Sequence, residues 1–273
     1  GLFKKIVIAN TLASVIVDPV FGNPAGHGAL DTLFAVYAYA IQIYCDFSAY
    51  SDIAIGVALL LGFRFPVNFN APYFATSIQS FWRCWHISLS TWLRDYLYIP
   101  LGGSRRGNVR TYVNLFITFL LGGLWHGAGW TFVVWGALHG AYLMGERLML
   151  RGRRPVDIPR PGPVGRLLRQ VVTIHLVCLS WVFFRSQTFG DAWLMLQSLG
   201  DWTTPVTALD SAILVFIVMG FCTQFLDGYR LQRAWQAMTR VPAWVQGLVA
   251  AVVLIAILAF GPQGVAPFIY FQF

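Results

Sequence analysis

The chain of 273 residues is 57% hydrophobic and only 11% charged, whereas a soluble fold carries about a quarter of its residues as Asp, Glu, Lys or Arg. That balance describes a membrane protein and excludes a soluble enzyme, a nucleic-acid-binding domain and a disordered chain together. The net charge of +8 has the same origin, because only Lys4 and Lys5 are lysines and most arginines fall in short clusters between apolar stretches, as in cytoplasmic juxtamembrane loops.

In chain order, Lys4-Lys5 precedes an apolar run without the small-residue cleavage pattern of a signal peptide, and the start at Gly1 reads as a cut that leaves N-terminal helices out. Residues 33–44 and 53–63 are apolar runs shorter than a full span. Between them Asp46 and Asp52 flank Phe47-Ser48-Ala49-Tyr50-Ser51. Paired carboxylates there suggest a proton relay or a glycosidase-type acid and base; the plainer reading is a helix break capped by Asp and Ser.

Residues 65–104 are unlike a crossing. Pro66, Pro72 and Pro100 interrupt them, and Trp82, Trp85, Leu89, Trp92 and Tyr96 recur at three- and four-residue spacing on a helical middle. Such a stripe lies at the membrane interface or packs a protein-lined cavity, which predicts an interfacial or re-entrant amphipathic segment. Its other face carries Arg83, Ser90 and Arg94, with His86 toward that side. His86 reads either as a residue that orients a substrate or as a polar residue of an interfacial helix.

Residues 111–145 are uncharged and too long for one crossing, with Gly122, Gly123, Gly127 and Gly129 at the middle. A helix breaks and turns at such a cluster, so a helical hairpin is predicted. His126 stands in it, with no charge for 15 residues before and 19 after. A helix from Arg110 reaches His126 after about 24 Å, inside a hydrocarbon core of about 30 Å and nearer its outer face. An ionisable group at that depth is a functional candidate. A neutral imidazole can take a proton from a hydroxyl, the step that general-base catalysis of acyl transfer needs; the alternative is a hydrogen bond between helices. His139, one turn after Trp135, reads as interhelical glue. His27 and His175 form no pattern.

Further helices are expected over 171–184, 213–225 and 244–260, the last stopped by Gly261-Pro262. Residues 151–163 are the only linker-like stretch, in a loop whose arginines 147–169 make it the most basic in the chain. It is predicted to be cytoplasmic. Alternation then places Asp191, Asp201 and Asp210 outside, Arg230, Arg233 and Arg240 inside and the C-terminus outside, while Arg105, Arg106 and Arg110 also fall inside. The four cysteines lack ligand or disulfide spacing and each reads as a small buried apolar residue. No metal site, permanently bound cofactor or nucleic-acid partner is expected. The fold class is all-α: a polytopic transmembrane helical bundle with a re-entrant or interfacial segment, 1–273 forming a single transmembrane domain in the lipid bilayer.

Two long motifs carry a resemblance. The run Phe81-Trp82-Arg83-Cys84-Trp85-His86-Ile87-Ser88-Leu89-Ser90-Thr91-Trp92-Leu93-Arg94-Asp95-Tyr96-Leu97-Tyr98-Ile99-Pro100-Leu101-Gly102-Gly103, followed by Gly122-Gly123-Leu124-Trp125-His126-Gly127, resembles the membrane-bound O-acyltransferase family, in its alginate O-acetyltransferase branch. Residues 46–52 and the closing 267–273 resemble that branch too, so the likeness covers most of the chain. It departs at Cys84, where relatives often carry a basic residue. The resemblance implies that His126 matches the family's invariant histidine and His86 its second polar position, and that an acetyl thioester such as acetyl-CoA is the donor substrate. It also implies transfer across the bacterial inner membrane to an exported polysaccharide, helped by an extracytoplasmic esterase-like acetyltransferase partner. Tyr270, in a tail with four aromatics in six residues, reads as an interfacial anchor or, toward that partner, as a phenol nucleophile relaying the acetyl group with His126 as base. Within the same family a D-alanyl exporter is the alternative. From another class, an ion or solute transporter would show internal repeats with paired broken helices, and the sequence shows none.

Overall fold

The computed structural model describes residues 1–150, 161–226 and 236–260. Among them the secondary structure is helical, without a strand. The main helices are α1 (Phe3–Gly22), α2 (Ala29–Leu60), α3 (Ile78–Trp82), α4 (Ile87–Leu93), α5 (Gly107–His126), α6 (Trp130–Met149), α7 (Pro163–Arg185), α8 (Phe189–Ser198), α9 (Ser211–Cys222) and α10 (Ala243–Phe260). Three of them, α1, α2 and α7, are long and apolar enough to cross a bilayer. The helices α5 and α6 have 20 residues each, about 30 Å and therefore the thickness of the hydrocarbon core. The protein is an all-α membrane protein. Its chain divides into two units, one of Gly1–Asn70 with the described part of Trp202–Gln272, the other centred on Ala71–Asp201.

In the first unit α2 runs for 32 residues, about 48 Å, straight through the stretch where the sequence suggested a break. The reason lies on α1. Lys5 Nζ meets Asp46 Oδ1 at 2.5 Å with both side chains buried, and Lys4 Nζ reaches Asp52 Oδ2 at 2.6 Å. Lys4 also donates to Ser48 Oγ at 2.9 Å and lies over the Tyr44 ring. Ion pairing with lysines some forty residues upstream, and not capping, is what lets two carboxylates sit within an unbroken helix. Around these lysines α1 widens into a stretch of π type at Phe3–Ala9, and it does so again at Ala13–Val17, a geometry that is rare within α-helices.

The helix α9 packs closely on α1 and α2 at Gly220, where a Cβ would run into Ile41 and Ile8. The loop before α9 is held by Asp31, which is buried at the start of α2. Its Oδ2 accepts from the Thr207 amide at 2.8 Å, the Thr207 hydroxyl at 3.1 Å and the Ala208 amide at 3.1 Å, and its Oδ1 from the Leu209 amide at 3.0 Å. A carboxylate that receives several such charge-assisted bonds can stay buried.

The second unit is organised by the α5–α6 hairpin, which turns at Gly127–Gly129 as the glycine cluster predicts. Gly123 and Gly136 face each other across it: a Cβ on Gly123 would strike the Phe132 carbonyl and Gly136 Cα, and one on Gly136 the Phe119 carbonyl. Small residues let the two backbones approach, the usual means of joining helices in lipid. The helix α7 then packs on α6, and α8 on α7. The helices α3 and α8 begin with reciprocal caps, Ser77 with Ser80 and Thr188 with Asp191.

The aromatic stripe of this segment departs from the sequence reading. It is not one helix, because His86 takes a left-handed conformation (φ 43°, ψ 57°) between α3 and α4. Trp82, Trp85 and Leu89 are buried, whereas Trp92 and Tyr96 are 53% and 70% exposed. The first half thus packs within the protein and the second half faces outward, where Arg94 grips Asp95 with two bonds of 2.7 and 3.0 Å. The cysteines also divide: Cys45 and Cys178 are buried and Cys84 is half-buried, but Cys222 is exposed on the apolar surface of α9.

Candidate active site

The residues of interest lie in the second unit. His126 is the last residue of α5, where the chain leaves the helix through an extended Gly127. Its imidazole stands nearly perpendicular to Trp135 at 5.1 Å between ring centroids and to Phe184 at 5.0 Å, with Trp125 at 4.9 Å. These three rings come from α5, α6 and α7, so the histidine sits where the hairpin meets the following helix. Edge-to-face contacts of this kind add about 0.5–1.5 kcal/mol each beyond area burial and fix the plane of the ring. Gly127 is small for a visible reason: a Cβ there would collide with the Phe132 ring, which itself packs on Phe184 at 5.1 Å.

His86 is buried at the turn between α3 and α4, with Nδ1 3.4 Å from Ser88 Oγ. A left-handed non-glycine residue costs about 1–3 kcal/mol and persists where the surroundings impose it, often at functional sites. The indole of Trp125 adjoins both candidate histidines, 6.3 Å from His86 and 4.9 Å from His126. The structure therefore brings His86 and His126 to the two rings flanking one tryptophan. Tyr270 lies outside the described residues, as do residues 151–160 of the basic loop.

His139 is fully buried behind this pair and its role can be read from its bonds. Trp82 Nε1 donates to His139 Nδ1 at 3.2 Å, and Ser180 Oγ lies 2.9 Å from His139 Nε2 and 2.7 Å from the Val177 carbonyl. An indole nitrogen can only donate, so Nδ1 is the acceptor and the neutral ring carries its proton on Nε2. The chain then closes without a gap: Nε2–H donates to Ser180 Oγ, whose own proton goes to Val177 O. This is a satisfied histidine tying α3, α6 and α7 together, the interhelical role read from the sequence. Trp135 fills the space between the two histidines, 5.1 Å from His126 and 4.9 Å from His139. It also contacts Trp82, Trp181 and Phe184. Trp135, Trp181, Phe184 and Ser180 were not legible as site residues. Tryptophan and phenylalanine recur all along this chain, and only their contacts single these out: Trp135 and Phe184 pack on His126, Trp181 packs on both of them and Ser180 bonds to His139.

Comparison with known proteins gives this arrangement a context. Residues 32–186 match the sequence pattern of the membrane-bound O-acyltransferase family, a stretch that includes His86, His126, His139 and Ser180. The whole chain is 42% identical to the probable alginate O-acetylase of Azotobacter vinelandii, of which it covers 60%. Over 74% of the chain it is 49% identical to the probable alginate O-acetylase of Pseudomonas aeruginosa, covering 38% of that protein. Over 73% it is 42% identical to the peptidoglycan O-acetyltransferase of Helicobacter pylori, covering 37%. The chain thus spans at most about three fifths of these relatives. With the match extending over more than half its length and through the residues that surround His126, the chain belongs to the membrane-bound O-acyltransferase family.

Proposed function

We propose that this chain is the histidine-bearing part of a membrane O-acyltransferase that takes an acetyl group from a cytoplasmic thioester, such as acetyl-CoA, and delivers it across the bacterial inner membrane. The acetyl group ends as an O-ester on an exported polysaccharide of alginate type. The observation that carries this reading is His126: an imidazole at the end of a helix that bears no charge after Arg110, packed against three aromatic rings and adjoining the same indole as His86. A base so placed can take the proton of an acceptor hydroxyl as it attacks the thioester. His86 supports the reaction by binding the thioester carbonyl or the acceptor. Tyr270 hands the acetyl group on to an extracytoplasmic esterase-like partner. The names of the relatives at 42–49% identity, which speak of O-acetylation, favour acetyl over other acyl groups. Mass analysis of the exported polysaccharide from cells with and without the gene tests this. O-acetyl esters should vanish on deletion and return on complementation; an unchanged ester content rejects the proposal.

The orientation that goes with this function places the basic residues 147–169 in the cytoplasm and the C-terminus outside. Reporter fusions after Arg154 and after Phe273 should report opposite compartments. Equal signals from both positions would overturn that topology.

A further inference from the structure

Trp135 is 2% exposed and lies at the centre of the aromatic cluster that holds His126. Its indole Nε1–H has no hydrogen-bond partner among the described residues. Buried donors left in this state are uncommon, and each costs about 1–3 kcal/mol. Two imidazoles adjoin the indole: those of His126 and His139; neither receives its N–H, and both nitrogens of His139 are engaged, Nδ1 by Trp82 and Nε2 by Ser180. The other rings against Trp135, those of Trp82, Trp181 and Phe184, offer only aromatic faces or edges. Were burial alone required here, phenylalanine would provide it without an N–H to satisfy. The ring that carries this unspent donor is also the one standing edge-on to His126 at 5.1 Å, 86° between planes.

We infer that Trp135 Nε1–H is a substrate-binding donor that gives its hydrogen bond to the acyl carbonyl oxygen next to His126 and holds the negative charge that develops there. The inference rests on the reading of His126 as base. In the transfer, the acceptor hydroxyl oxygen bonds to the thioester carbonyl carbon while its proton passes to His126. The carbonyl π pair moves onto oxygen, and that oxyanion receives the Trp135 N–H. The C=O bond then re-forms, the C–S bond breaks with its pair going to sulfur, and the imidazolium returns the proton to give the thiol. A single donor aimed at such an oxygen typically contributes about 10²–10³ in rate, because in a water-excluded site nothing else replaces it.

The test uses the full-length protein in cells, with acetyl ester per polymer normalised to protein in the membrane. Trp135→Phe keeps an aromatic ring and removes the donor. Incorporating β-(3-benzothienyl)alanine at position 135 keeps the bicyclic shape and exchanges N–H for sulfur. Both should lower transfer by about 10²-fold, while the benzothienyl protein keeps the wild-type thermal stability. Full activity of the benzothienyl protein would overturn the inference, leaving the N–H to meet ring faces only. His126→Ala is run alongside: if it transfers normally, the proposed function of the site is at fault; if it is inactive while the benzothienyl protein is active, only the role of Trp135 falls.

Discussion

Replacing His126 with alanine should lower acyl transfer by about 10²-fold or more, the usual cost of losing a general base, while the protein still accumulates in the membrane. Accumulation is expected because the close helix contacts and the interhelical hydrogen bonds described for this region do not pass through His126. The hairpin is closed by Gly123 against Gly136, and α3, α6 and α7 are tied through His139 and Ser180. Alanine removes ring contacts of modest strength, those with Trp125, Trp135 and Phe184 among them, and leaves both sets intact. Acetylation retained above about a tenth of wild type would remove His126 from the chemistry. The same assay on His139→Gln separates the two histidines by kind, since His139 should fail through stability and His126 through rate.

The second large effect is expected far from the histidines. Lys5 and Asp46 form a pair with side-chain exposures of 6% and 4%, and removing one partner of a buried pair costs about 3–5 kcal/mol because the other charge is left uncompensated. Asp46→Ala should therefore reduce the folded protein recovered from membranes sharply and lower its unfolding temperature in detergent. The double change Lys5→Met with Asp46→Leu, which removes both charges and keeps volume, should restore most of it, since apolar replacement of such a pair is often neutral or stabilising. If Asp46→Ala accumulates and melts like the wild type, the pair carries no structural weight. If the double change restores the fold but not acetylation, the carboxylate has a chemical use after all.

These two sites also show what can be read from a sequence of this kind. The α5–α6 hairpin and the depth of His126 were legible because a charge-free stretch, a helical rise per residue and a glycine cluster are all local signals. The continuity of α2 was not legible: Asp46 and Asp52 look like a break until Lys4 and Lys5 are seen opposite them. The bend at His86 was hidden for the converse reason. The aromatic spacing from Trp82 to Tyr96 fits one helix, and the left-handed residue that divides it has no signature in residue type. Asp31 looks like a lone acid at the start of an apolar run, because three of its partners are the backbone amides of Thr207, Ala208 and Leu209, and backbone groups 176 or more residues away leave no trace in a side-chain pattern.

The bonds of Asp31 set an order of events during synthesis. The carboxylate and the Thr207 amide that satisfies it are separated by 176 residues, so at about 5–20 residues per second the first leaves the ribosome roughly 9–35 s before the second. Through that interval the whole of Ala71–Asp201 is made, and the start of α2 is without the loop that completes it. The unit that carries His126 is continuous in sequence and can close as it emerges, whereas the unit that carries Asp31 has to wait for the later part of its own chain. A nascent protein halted before residue 207 therefore holds a helix α2 whose acid still lacks the three amides and the hydroxyl that donate to it in the finished fold.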